Sequence, residues 1–429
     1  MAERRRGGYF GFPLIYKILI GLVIGIIVGI IAKSAIAPVK PLGDFFIRLL
    51  QMIVMPVVFF SLVVGAASIS PTRGVRAGGK IIVLYIVTTA IAIAIGLALA
   101  NLFKPGLGMA LVGEGVAKEV TAPSMKDVLL GLIPTNPFGA LATGAVLPTI
   151  VFAIVLGTAL SYIKALKVPR ISEASENVLR VFDGLAEAMY KMVRWILEVA
   201  PYGVFALIAV VVGTQGAKVL GPLAVVTGAV YLGLVIHYLV VYGGFLRAWG
   251  LNPVRCWSGA RDASLMAFVT RSSSGTLPVT MRVAEENLGI DRSLYSFTLP
   301  LGATVNMDGT ALYQAVCALF IANAIGMPLT IGAQMLVMLT AVLASIGTAG
   351  VPGAGAIMLL LVLEAVGLPV EAGSAVAIAY GMILGIDAIL DMGRTSLNVT
   401  GDLVCTSIVA KTENMLNLDF WHGKAKAKA

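Results

Sequence analysis

Charge is what this sequence has least of. Only 12% of its 429 residues are Asp, Glu, Lys or Arg, about half the share usual in soluble domains. Hydrophobic residues make up 59% and the mean hydropathy is +0.96. Such a chain cannot furnish a soluble surface, so its solvent is lipid, and a domain count taken from length does not apply. Histidine is nearly absent, with two residues, which argues against His-based metal or triad chemistry. The three cysteines, Cys256, Cys317 and Cys405, are scattered. They form neither a disulfide framework nor a metal spacing and read as small apolar fillers. The net charge of +9 gathers in the connections between apolar runs, where it reports topology rather than nucleic-acid binding.

What is present is a series of apolar runs long enough to cross a bilayer, which takes about 20 residues. They are Leu14–Ile36, Phe45–Ile69, Ile81–Phe103, Leu147–Ala165, Met192–Val212, Leu223–Leu246, Leu294–Ala324 and Ala375–Ala410. The first, after a basic start, is too long for a signal-peptide core and is expected to span. Two further apolar stretches, Pro253–Val283 and Thr330–Val370, are broken by small polar residues at Arg271–Pro278 and Gly347–Gly355. Non-helical backbone cannot face lipid and must be buried in protein or line a wet cavity. Each interrupted stretch therefore reads as a re-entrant hairpin, followed by a helix with an intramembrane acidic motif. This is the paired interruption of inverted-repeat secondary transporters. With Arg4, Arg5 and Arg6 in the cytoplasm, the groups Arg73, Arg76 and Lys80, Lys164, Lys167 and Arg170, Arg247, Arg255 and Arg261, and the tail Lys424, Lys426 and Lys428 all fall inside, as the positive-inside rule requires. The first hairpin then enters from the cytoplasm and the second from outside.

From Leu294 to Ala410 the only basic residue is Arg394. At about 100° per residue, Asp387, Asp391, Arg394, Asn398 and Asp402 share roughly an 80° arc of one helix, and charge at that depth marks a site or a partner. An internal Asp391–Arg394 salt bridge would leave Asp308, Asp387 and Asp402 without basic partners, so cations from solution are expected. Hard cations take oxygen ligands, which Asn306, Asp308, Asn398, Asp402 and the broken backbone of the second hairpin supply. Tyr85, Thr88 and Thr89 can add hydroxyls, although a membrane Thr ordinarily bonds back to its own helix. The guanidinium of Arg394 matches a carboxylate and Asp391 matches an ammonium, while the hairpin tips offer N–H groups to a second carboxylate. The ligand this describes is aspartate or glutamate.

Other patterns carry less. Gly21, Gly25 and Gly29 read as helix packing, and His237 as a hydrogen-bonded structural residue rather than a proton carrier. Ser161-Tyr-Ile-Lys164 lacks the companions of an S-x-x-K enzyme. The glycines of Gly347–Gly355 follow no strand and precede no GK[ST], which excludes a phosphate loop. Asn398-Val-Thr400 lies too deep for glycosylation.

Asn306-Met-Asp-Gly-Thr310, the serines Ser272–Ser274, Gly347–Gly355 and Asp391-Met-Gly-Arg-Thr395 through Asp402 resemble the dicarboxylate/amino acid:cation symporter family, which includes the excitatory amino-acid transporters, and within it the archaeal sodium–aspartate symporters. The similarity runs from about Leu14 to Glu413. It implies an all-α polytopic membrane protein with eight transmembrane helices, two re-entrant hairpins and inverted repeats, assembled as a homotrimer that works as an elevator. Residues 1–80 and 105–218 would form the scaffold, and 81–104 and 219–429 the transport domain. By the same resemblance Arg394 binds the side-chain carboxylate and Asp391 the amine. Asn398, Thr310, Thr395, Arg271, Ser272, Ser273, Val351, Gly353 and Gly355 complete the substrate shell. Three sodium sets are implied: Gly302, Asn306, Asn398 and Asp402; Thr304, Ser345, Ile346 and Thr348 with Met307; and Tyr85, Thr88, Thr89, Asn306 and Asp308. Gln314 stands where proton-coupled relatives carry a glutamate, which points to sodium alone. Ser396-Leu397 and Thr89 depart from the archaeal pattern.

The reading is a sodium-coupled carrier of aspartate, with glutamate as a second candidate, in the plasma membrane with both termini cytoplasmic. A C4-dicarboxylate carrier is the alternative, but it has no use for an amine ligand at Asp391. An ion channel does not need a carboxylate clamp between opposed gates, and an enzyme lacks a nucleophile–base pair.

Overall fold

In hydrocarbon a helix satisfies its own backbone, and the described residues are built almost wholly of helices. The computed structural model describes residues 14–67, 75–109, 111, 130–131, 133–166, 168–217, 220–346, 348 and 350–421. Among these the one β contact is an isolated bridge between Ile290 and Leu416. The first part comprises α1 (Leu14–Ala32), a 3-10 turn (Lys33–Val39), α2 (Lys40–Ala67), α3 (Val75–Phe103), the short α4 (Pro137–Thr143), α5 (Val146–Lys164) and α6 (Pro169–Gln215). There follow α7 (Leu220–Ile236), a π-helical turn (His237–Tyr242) and α8 (Gly243–Ala248). The remainder is α9 (Pro253–Thr270), α10 (Ser273–Glu286), α11 (Arg292–Val305), α12 (Asp308–Ala324), α13 (Ile331–Ser345), α14 (Ala354–Ala365), α15 (Ala375–Thr412) and α16 (Leu418–Trp421). Six stretches of the described residues are long and apolar enough to cross a membrane, one of which, Tyr16–Ala67, contains both α1 and α2. The chain is a multi-pass membrane protein.

Both interrupted stretches are helical hairpins. In the first, Arg271 takes the left-handed conformation (φ 54°) and Ser272 starts α10 by accepting from the Gly275 N–H, an ordinary N-cap. Asn287 Nδ2 donates to the Gly259 carbonyl at 3.0 Å and closes the base of the hairpin. In the second, Gly353 (φ 79°) turns the chain into α14. The two tips meet: Ser272 Oγ and Ser274 N both donate to the Gly350 carbonyl, at 2.6 and 3.0 Å. A methyl on Gly350 would stand 2.4 Å from Ser274 Oγ, so only glycine permits this approach.

Two elements depart from the sequence reading. The run Leu294–Ala324 is one apolar stretch, yet its helix breaks at Asn306–Met307, between α11 and α12. Hydropathy does not see the break, because the turns that flank the polar Asn306–Thr310 motif are apolar enough for the whole stretch to pass as one span. Helix α6 begins at Pro169 rather than Met192, through a charged, exposed segment with the Arg180–Glu176 pair. Arg4, Arg5, Arg6, Arg73, Lys167, Gly347, Lys424, Lys426 and Lys428, as well as residues 112–129, lie outside the described residues.

Packing sorts the helices. Helices α1 and α2 lie mainly against α6, and α2 against α5; α3 lies against α12, and α15 against α9 and α12. Helix α12 is buried on every side apart from Asn323, as expected for the innermost element of a bundle. The glycine stripe of α1 does what its spacing suggested. Methyls at Gly21, Gly25 and Gly29 would stand 2.4, 2.8 and 2.7 Å from carbonyl oxygens of Pro201, Phe205 and Ala209 on α6. The Gly25→Leu variant should part these backbones at a cost of about 1–3 kcal/mol, read as a lower apparent melting temperature in detergent. Gly228→Ala, where a methyl meets nothing within 4 Å, should leave it unchanged.

Candidate functional site

The stripe of α15 faces the two hairpin tips and the broken α11–α12 junction. At its centre Arg394 is 1% exposed. Its Nη1 and Nη2 donate to Asp387 Oδ1 and Oδ2 at 2.7 and 3.3 Å, and its Nε donates to Asp391 Oδ1 at 3.0 Å. The guanidinium carbon lies 4.2 Å from the centre of the Tyr313 ring, a cation–π contact. On another side Gly355 lies against it, since a methyl there would stand 3.1 Å from the Arg394 guanidinium carbon and 2.8 Å from Thr310 Cγ2, an approach that only glycine permits. The two-point partner of Arg394 is thus Asp387. This corrects the expectation that Asp387 lacks a basic partner, and the reason is helical: residues seven apart lie on one face.

Asp391 joins this centre to the second hairpin. Its Oδ2 accepts from the Gly353 N–H at 3.0 Å, and its Oδ1 also accepts from Thr395 Oγ1 at 3.1 Å. One turn on, Asn398 ties the stripe to α12: its Oδ1 accepts from the Gly309 N–H at 2.7 Å, and its Nδ2 reaches Thr310 Oγ1 at 3.2 Å and Met307 Sδ at 3.1 Å. Ser272 is committed to the tip contact, Ser273 is buried and Val351 half-buried. Arg271 lines a narrow cavity with Gly353, Tyr380 and Asp387.

A second polar centre holds the other two carboxylates. Asp402, 2% exposed, accepts from Asn306 Nδ2 at 2.9 Å. Gly302 is required beside it, for a methyl there would stand 2.4 Å from Asp402 Oδ1 and 2.7 Å from Tyr85 Oη. Tyr85 itself donates to the Thr298 carbonyl at 3.1 Å. Asp308, with 0% exposure, accepts from Thr89 Oγ1 at 2.6 Å, from Tyr242 Oη at 2.8 Å and lies 3.2 Å from His237 Nε2. The ion pairs of Arg394 are spent on Asp387 and Asp391, so no Lys or Arg of the described residues reaches Asp308 or Asp402. Buried carboxylates need such compensation, and the donor set here is oxygen-rich, as a small hard cation requires.

Several sequence-assigned residues are not joined to one another. Thr88 bonds back to Leu84 at 3.0 Å and only brushes Asn306 Oδ1 at 3.5 Å. Thr304 and Ser345 donate to Leu301 and Val342 of their own helices, at 3.1 and 2.7 Å, and Thr348, just beyond α13, donates to Ala344 at 2.8 Å; Ile346 is half-buried. A hydroxyl that donates backwards keeps its oxygen lone pairs as acceptors. The departure at Ser396 has a structural outlet: its Oγ donates to the Ser264 carbonyl of α9 at 3.0 Å, away from Arg394. Sequence reasoning missed Tyr313, whose signal was its one-turn spacing from Thr310. It also missed the convergence of His237 and Tyr242 on Asp308, for which no helical periodicity gives a signal.

Comparison with known proteins identifies the family. The model of the sodium:dicarboxylate symporter family matches residues 14–412. The chain is 38% identical over 388 residues to the proton/sodium-glutamate symport protein of Geobacillus stearothermophilus, covering 88% of each chain. It is 36% identical over 389 residues to the proton/glutamate-aspartate symporter of Escherichia coli, covering 87% of this chain and 85% of that one. It is 34% identical over 387 residues to the C4-dicarboxylate transport protein of Rhizobium johnstonii, covering 88% and 84%. The chain belongs to the sodium:dicarboxylate symporter family and is a transporter, not an enzyme.

Replacing Asp387 with Asn removes the two-point partner of a buried guanidinium. Breaking a buried pair from one side costs about 3–5 kcal/mol. The apparent melting temperature in detergent should therefore fall far more for Asp387→Asn than for Asp291→Asn, which alters only the exposed N-cap of α11.

Proposed function

We propose that this member of the sodium:dicarboxylate symporter family imports aspartate, with glutamate as a second substrate, and draws its energy from sodium. The observation that carries this reading is the paired, unequal use of Arg394 and Asp391. A guanidinium has five N–H donors and three are engaged, so two on the Nη groups remain for a substrate carboxylate. Asp391 accepts three bonds of roughly four that a carboxylate can take, which leaves a place for an ammonium. A substrate with a carboxylate for one and an amine for the other satisfies both. A C4-dicarboxylate would satisfy Arg394 and leave Asp391 facing a second anion, which favours the amino acid. The second carboxylate of the substrate would meet the N–H groups of the hairpin tips and Asn398, with Thr310, Thr395, Ser273 and Val351 around it.

Sodium, the co-transported substrate, would be held where buried oxygens lack cationic partners. One set is Gly302, Asn306, Asn398 and Asp402, and another Tyr85, Thr88, Thr89, Asn306 and Asp308. Thr304, Ser345, Ile346 and Thr348 with Met307 form the third. Gln314 is fully buried, and an amide carries no proton that it can release, which supports sodium as the sole driving ion.

The same reading assigns eight spans, with α9–α10 and α13–α14 re-entrant from opposite sides and both termini cytoplasmic in the plasma membrane. Helices α1, α2 and α4–α6 would form a trimeric scaffold, and α3 with α7–α16 the body that moves as an elevator. The packing preferences of the helices support this division.

Uptake of labelled L-aspartate by proteoliposomes tests the proposal. An inward sodium gradient should drive accumulation, and an imposed proton gradient without sodium should not. Arg394→Ala should reduce uptake by at least about 100-fold, the loss of a charge-assisted two-point contact. Succinate accumulating in preference to aspartate, or uptake that persists without sodium, would overturn the assignment.

A further inference from the structure

The helix formed by α7 and α8 is regular except at His237–Tyr242, where it widens into a π turn. Such turns are rare and concentrate at functional sites. In an α-helix, residues five apart point about 140° away from each other; the i→i+5 pattern of a π turn stacks them on one side. Here the residues so stacked are His237 and Tyr242, whose rings meet edge to face with centroids 4.6 Å apart. Both reach the same atom, Asp308 Oδ2, from 3.2 and 2.8 Å. The other oxygen, Oδ1, takes only the hydroxyl of Thr89, at 2.6 Å.

Two further observations separate this arrangement from ordinary core packing. His237 Nδ1 is buried without a partner. An N–H placed there would be a buried donor with no acceptor, so the tautomer that fits carries its proton on Nε2 and donates to Asp308. A histidine serving only to stabilise the bundle would be expected to satisfy both nitrogens. Helix α15 also makes way for the tyrosine: a methyl on Gly401 would stand 2.1 Å from Tyr242 Oη.

We infer that the π turn is a clamp, and that His237 and Tyr242 are positioning residues that set the cation affinity and selectivity of Asp308. The inference rests on the proposed role of Asp308 in a sodium set. With Oδ2 held by two donors, the carboxylate cannot swing to chelate a cation through both oxygens. Oδ1 is left on the side of Thr89, held at 2.6 Å from its hydroxyl. A fixed ring of oxygens discriminates between cations by size, whereas a mobile carboxylate adapts to either. Outer partners that orient a ligand in this way typically account for about 10-fold to 100-fold in metal affinity.

The test is aspartate binding to the purified full-length protein, titrated with sodium and separately with lithium. Tyr242→Phe removes one oxygen and His237→Leu one donor; each should raise the sodium concentration for half-maximal binding about tenfold and narrow the sodium-over-lithium preference. His237→Gln, whose amide can donate from a similar position, should recover most of both losses. Saturating sodium should restore the full number of binding sites in each variant, which separates a positioning defect from misfolding. An unchanged cation preference in both Tyr242→Phe and His237→Leu, or an equal loss in His237→Gln and His237→Leu, would overturn the clamp. Asp308→Asn is the reference: if its sodium dependence matches the unaltered protein, Asp308 is no cation ligand, and the underlying reading fails together with the clamp.

Discussion

A guanidinium held away from water must be neutralised, and the geometry around Arg394 follows from that requirement. The cost of burying such a charge is several kcal/mol or more unless it is both paired and hydrogen-bonded. Asp387 supplies two oxygens, Asp391 a third, and Tyr313 a ring face. Asp391 is also anchored elsewhere. Asp391 accepts from the Gly353 N–H at the tip of the second hairpin, and Gly350 of that tip accepts from the first hairpin. The arginine, its carboxylate and both hairpin tips are therefore one hydrogen-bonded unit. A ligand that takes lone pairs from Asp391 is one hydrogen bond from the second tip, and one that takes donors from Arg394 is two.

The two polar centres lie on successive turns of α15, and Asn398 stands between them. It bonds Gly309 and Thr310 on the Arg394 side, while its own carbonyl lies 3.5 Å from Asn306 Nδ2, which also holds Asp402. This asparagine thus bonds toward both centres. The break at Asn306–Met307 makes this possible. The Asn306 N–H and the Met307 carbonyl still bond within their own helices, to Gly302 and Ala311, but at the start of α12 the Gly309 N–H is free to donate to Asn398 Oδ1.

Glycine is the recurrent means by which backbones and carboxylates come close enough. Gly302 gives Asp402 and Tyr85 their approach, Gly309 lies against the backbone of Arg394, and Gly401 admits Tyr242. In α1 the same device serves packing alone, against the carbonyls of α6. The contrast shows why a glycine is informative only once its neighbour is known: a side chain and a backbone carbonyl leave the same blank in the sequence.

Much of this was open to inspection before any coordinates. The scarcity of charge dictated lipid as solvent, and the interrupted runs at Arg271–Pro278 and Gly347–Gly355 had to be hairpins, because unpaired backbone cannot meet hydrocarbon. The isolation of Arg394 on a polar stripe marked the site, since periodicity alone places Asp387, Asp391, Asn398 and Asp402 beside it. Other features depended on contacts between segments far apart in the chain. That Asp387, rather than a solute, fills the two-point face of Arg394 depends on rotamers and on Tyr313 behind them. The break in α11–α12 is silent in hydropathy because its flanks are apolar. The meeting of His237 and Tyr242 on Asp308 contradicts the period of an α-helix, and no pattern of residues encodes a π turn. Sequence determined which groups must be buried, because lipid tolerates so few; tertiary structure decided which of them answer one another, because distance and direction exist only in the fold.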